Sequence, residues 1–115
     1  MLQGKKLQKS NDVNIVRISG QLAADVHVRY TPKGKAVASF KLCVTSLESE
    51  GKNKNTVINL VPVVAFGKVV ESTGDYLKKD AVLIIEGRLQ GRSFTTVEGE
   101  NKSVLEVVAS KIVKI

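Results

Sequence analysis

The sequence predicts an all-β domain in which five strands close into a small barrel, with one short helix between the third and the fourth. Three observations carry that prediction. Apolar and polar residues alternate along most of the chain, the mark of strands with one buried face. The period changes only once, near residue 69, where apolar positions fall at helical spacing. Gly20, Gly87 and Gly91 lie inside long alternating runs, where glycine marks a bend or bulge of the kind barrel closure needs. The length of 115 residues suits one domain, and 43% hydrophobic residues suffice for a core.

Residues 1–13 carry Lys5, Lys6 and Lys9 with no periodic apolar character, and are expected to form a flexible basic arm ahead of a domain spanning 14–115. No apolar run follows those charges, so the arm does not read as a secretory signal. The first strand starts at Asn14, with Val16, Ile18, Gly20 and Leu22 on one face. Tyr30–Gly34 reads as a turn, since Pro32 fixes one dihedral and Gly34 permits positive φ. Ala36–Ser46 is the second strand, with Phe40, Leu42 and Val44 toward the core, and Leu47–Asn55 reads as a polar loop. Thr56–Phe66 is apolar on both faces, so it is either buried twice or offers an apolar strip to a ligand. Pro62 within it lacks an N–H and belongs at an edge or bulge.

Val69, Val70, Thr73, Tyr76 and Leu77 fit a helix ending at Lys78 and Lys79, shortened by Gly74. Ala81–Phe94 returns to alternation, a turn follows at Val97–Asn101, and Ser103–Lys114 is the last strand. The order β-β-β-α-β-β is that of the OB-fold, a five-stranded Greek-key barrel. An SH3-like barrel gives no role to a helix between the third and fourth strands.

Composition excludes several functions. One Cys allows no internal disulfide, and one Cys with one His supplies no self-contained zinc site. No apolar run approaches the ~18 residues of a membrane span. His27 has no nucleophile beside it and reads as a surface residue; Cys43 reads as a small packed hydrophobe opposite Phe40 and Leu42. Gly67-Lys68 lacks the preceding glycine of a phosphate loop, because Pro62 holds that position. The chain therefore reads as a non-enzyme without metal or cofactor. Its 18 Lys+Arg against 11 Asp+Glu, a net +7, favour a polyanionic partner.

The fourth strand gives that partner a shape. Arg88, Arg92 and Phe94 fall on its outer face, and Phe66 closes the third strand just before Lys68. Cations for phosphates beside rings for bases suit single-stranded nucleic acid, whereas duplex reading calls for a recognition helix or ribbon. A solvated strand whose Phe94 caps the barrel end fits the same spacing. Lys33, Lys35 and Lys41 join the candidates from the turn and the second strand.

Five blocks then resemble the bacterial-type single-stranded DNA-binding protein (SSB) family: Val28–Phe40, Val63–Lys68, Tyr76–Lys79, Ile85–Gln90 and Glu106–Ala109. The resemblance covers Asn14–Ile115. It implies an OB-fold, a homo-oligomer (a tetramer rather than a dimer) and sequence-tolerant binding of single-stranded DNA in replication, recombination and repair, in the cytoplasm. Phe66 and Phe94 match the family's base-stacking positions, and Lys68, Lys79 and Arg92 match its basic positions. Leu60 stands where the family commonly has Trp, and Leu47–Asn55 lacks an aromatic often found there. Leu60 is left as an apolar base contact. The given sequence ends at Ile115 without the family's acidic tip, so partners recruited through such a tip are not expected. A phage, plasmid or organellar origin fits a tailless form. The alternatives are an accessory protein of the replication-restart PriB type, an OB scaffold for protein contacts and an RNA-binding OB protein.

Overall fold

The computed structural model describes residues 11–115. Most of the basic arm, including Lys5, Lys6 and Lys9, lies outside the described residues. The elements are β1 Val16–Leu22, β2 Arg29–Tyr30, β3 Ala36–Glu50, β4 Asn53–Phe66, α1 Lys68–Glu71, β5 Val82–Thr95 and β6 Asn101–Lys114. They form one sheet in the order β1-β5-β6-β4-β3-β2, and β1 also pairs with β3. That second pairing closes β1, β5, β6, β4 and β3 into a barrel, leaving β2 on its outside. The expected OB-fold is present, with α1 between its third and fourth barrel strands.

Closure depends on two glycines. β1 pairs with β5 from Val16 to Gln21, then with β3 at Gln21 and Leu22. A Cβ on Gly20, at that crossing, would overlap the carbonyl oxygen of Cys43. On β5, the register with β6 shifts between Glu86 and Gly87, and a Cβ on Gly87 would overlap the carbonyl oxygen of Val108. The bulge bends the strand as the barrel curves. Gly91 meets nothing within 4 Å, so closure does not call on it. Inside, Leu22, Leu42, Val63, Leu83, Ile85, Val107 and Ile112 form the core, with Ala36, Ala38, Ala65 and Ala109 filling the narrow places.

Two hairpins run on past the core. β3 and β4 pair without a break from Val37–Phe66 to Glu50–Asn53, and β5 and β6 pair out to Thr95–Asn101.

Three expectations need correction. Leu47–Asn55 is not a loop: all of it except Gly51-Lys52 is strand, because the β3–β4 ladder satisfies the backbone even where side chains have no core to face. The helix spans only Lys68–Glu71, not Val69–Leu77. Ser72 Oγ donates to Val69 O and Thr73 Oγ1 to Val70 O, and Gly74 turns left-handed at φ 57°. These features end the helix one turn after it begins, so Lys78 and Lys79 do not sit at its C-terminus. Finally, β2 was not anticipated, since two residues carry no alternation to read.

Candidate nucleic-acid interface

In the β3–β4 ladder, directly opposed residues share a face. Val37–Phe66, Ser39–Val64, Lys41–Pro62, Cys43–Leu60 and Thr45–Ile58 therefore lie together on the outside of the barrel. Val64 lies next to Val108 of β6, which opposes Arg88 of β5; Gln90–Glu106, Arg92–Val104 and Phe94–Lys102 continue that face along the second arm. Val64 and Val108 are buried yet lie outside the core cluster, so they floor the outer face. The apolar strip expected of the third strand is real in its outer half: Ile58 is 64% exposed and Leu60 58%.

Each exposed phenylalanine on this face carries a cation. Lys35 Nζ lies 5.3 Å from the Phe66 ring centre, and the Arg92 guanidinium 5.4 Å from that of Phe94. Both are within the ~6 Å range of cation–π attraction. The rings remain 37% and 42% exposed, which leaves ring surface for a planar ligand. Phe94 therefore stands on an arm beside Lys102 and does not cap the barrel.

Between the arms the sheet opens. β4 and β6 pair only at Val63–Val107 and Val64–Val108. Pro62, the residue before, has no N–H to continue a ladder. A cleft of about 340 Å³ begins there, lined by Ser39, Lys41, Pro62, Arg92, Val104 and Glu106. Glu106 is 7% exposed, and its Oε1 accepts a hydrogen bond from Arg92 Nε at 3.2 Å.

The sequence candidates divide accordingly. Leu60, Lys35, Lys41, Phe66, Arg88, Arg92 and Phe94 share the outer face or its margin. Lys33 is exposed in the Thr31–Lys35 turn, and Lys68 on α1, two residues past Phe66. Lys79 stands apart. Its backbone N–H donates to Asp25 Oδ1, and it lines a separate hollow with Lys78, Lys114, Asp75 and Asp80. Cys43 is half-exposed on the outer face rather than packed, and His27 is exposed as expected.

Two residues escaped the sequence reading. Arg29 opposes Val37 and so joins the row of Phe66, but only the unanticipated β2 puts it there. Glu106 alternates out of the core in plain view; its burial comes from the arms around it, which no local pattern announces.

No described helix is long and apolar enough to cross a membrane, and no described cluster of His, Cys, Asp and Glu could hold a metal. The single-stranded DNA-binding protein of Clostridium tetani is 37% identical over 102 residues, covering 87% of this chain and 68% of its own length. That of Halalkalibacterium halodurans is also 37% identical, and this chain spans 59% of its length. Among solved structures, a deletion mutant of the single-stranded DNA binding protein from Thermus aquaticus superposes with a TM-score of 0.79 at 31% identity, covering 90% of this chain and 50% of that one. A Plasmodium falciparum SSB in complex with ssDNA gives 0.83 over 94% of this chain and 99% of that one; at 16% identity it attests the fold alone. Residues 13–115 match the model of the Single-strand binding protein family, a family of binding proteins rather than enzymes, and the chain belongs to that family.

Proposed function

We propose that this chain binds single-stranded DNA with little regard to sequence. Bases stack on Phe66 and Phe94 and touch Leu60, while Lys35, Lys41, Arg88, Arg92 and Arg29 hold phosphates along the way. Lys33, Lys68 and Lys79 serve as outlying cations. One observation carries the reading: two exposed rings, each backed by a cation, stand on one continuous outer face. Stacking on an aromatic is worth about 1–3 kcal/mol per base and tolerates every base. Family membership and the names of the relatives support the same conclusion. In this reading the protein protects single strands during replication, recombination and repair in the bacterial cytoplasm, and assembles as a homotetramer.

The test is a titration against poly-dT, a matched duplex and a matched RNA at low and moderate salt, with a native mass of the free protein. Tight binding of poly-dT, weak binding of duplex and a four-chain mass are expected. Equal binding to every polyanion, lost at moderate salt, would defeat the single-strand reading, and a two-chain mass would defeat the tetramer.

A further inference from the structure

Glu106 is the buried carboxylate of the outer face, and it is paired with a guanidinium that stands among the candidate DNA contacts. Its Oε1 holds Arg92 Nε, while Arg92 remains half-exposed and lies over Phe94. Among the described residues no hydrogen bond reaches Glu106 Oε2, yet no fully buried side-chain oxygen lacks a partner. Oε2 is therefore open to the cleft, the same cleft that Lys41 lines from the other arm. A carboxylate on a guanidinium is chemically a stand-in for a phosphate, since both anions take the same donors.

Resting on the single-strand reading above, we propose that Glu106 is a positioning residue that limits affinity. It fixes Arg92 over Phe94 and at the same time cancels the charge Arg92 offers to the DNA backbone. A phosphodiester must share or displace the carboxylate before it gains the guanidinium. The nearest other cation on this cleft, Lys41, has no carboxylate partner among the described residues, so the cancellation is local to Arg92.

The variant Glu106→Gln separates the two roles. Glutamine keeps an oxygen to accept from Arg92 but carries no charge. Binding of an oligo-dT by the full chain should tighten on the order of three- to tenfold at about 0.05 M salt, and the slope of log K against log salt should steepen by about 0.7 as one more counterion is released. A purely structural Glu106 predicts weaker binding with an unchanged slope, and that result, or no change in either quantity, would overturn the proposal. If Glu106→Gln fails to fold, the Arg92 Nε–H resonance of the unaltered protein decides. It should move when oligo-dT is added to saturation; a resonance that stays put means the carboxylate is never challenged, and the proposal falls. Failure of the unaltered protein to bind oligo-dT at low salt would sink the single-strand reading and this inference together. Tight binding by the unaltered protein with an indifferent Glu106→Gln would sink this inference alone.

Discussion

Phe66 and Phe94 each carry a cation on one ring face, but the two cations are held by opposite means. Lys35 is fixed through the backbone. It ends a turn in which Thr31 N–H donates to Lys35 O at 2.8 Å and Lys35 N–H donates to Thr31 Oγ1 at 3.0 Å. Its ammonium has no carboxylate partner among the described residues. Arg92 lies mid-strand, and its side chain is tied to Glu106. The turn that serves Lys35 recurs at the tip of the second arm, where Thr96 and Glu100 make the same bonds and Gly99 matches Gly34 in positive φ. In that copy Glu98 and Glu100 stand where the first has Lys33 and Lys35. One backbone device thus delivers free positive charge beside Phe66 and negative charge on the arm of Phe94. The Phe66 site gets its cation from a turn, and the Phe94 site from a neutral pair.

The largest effect should come from the rings themselves. Phe66→Ala and Phe94→Ala should each cost about 1–3 kcal/mol of binding to oligo-dT, and together about the sum, if the rings stack different bases. Fluorescence anisotropy measures this directly. One silent ring would break the comparison, because only the other would then be a platform. Next in size is a stability difference between the cations. Arg92→Ala strips the partner from a buried carboxylate and should lower the unfolding free energy by about 1–3 kcal/mol. Lys35→Ala, at an exposed position with no carboxylate partner among the described residues, gives up only its contact with the Phe66 ring and should cost less, at most about 0.5–1 kcal/mol. Urea melts of the two variants compare them; equal losses would mean that the cations are not held differently after all.

Much of this arrangement is legible in the sequence. Alternation placed Arg88, Arg92 and Phe94 on one face of β5, because a period of two survives whether or not the opposite face is buried. The same rule separated Cys43 from Leu42. It failed where local pattern and backbone satisfaction disagree. Glu48, Asn53 and Asn55 look like loop residues, yet a ladder already running through Thr45–Ile58 extends to them, since each further pair satisfies backbone groups at little cost. The helix failed for the converse reason. Tyr76 keeps helical spacing but is not in a helix: its hydroxyl donates to Ile112 O at 2.9 Å, a tertiary tie 36 residues away. Arg29 and Glu106 were out of reach because what they face, Val37 across the β2–β3 pair and the opposite arm across the cleft, is set by topology rather than by local pattern.

The smallest prediction tests the paired turns. Thr31→Val and Thr96→Val each remove one hydroxyl that accepts a backbone N–H, in turns of the same geometry and at similarly half-buried positions. Each should cost about 0.5–1.5 kcal/mol of stability, and the two losses should match. Their effects on DNA should not. The bond lost in Thr31→Val anchors Lys35, the cation that holds a phosphate beside Phe66 in the proposed function; an exposed charge contact is worth about 0.2–1 kcal/mol, so affinity for oligo-dT should fall by up to about fivefold at low salt. The bond lost in Thr96→Val anchors Glu100, which touches neither ring, and affinity should hold. Matched stability losses with affinity lost only in Thr31→Val would mean that the turn beside Phe66 acts by presenting its lysine. Equal affinity losses would mean that the two turns matter only as closures of their strands, and the charge difference between them would carry no function.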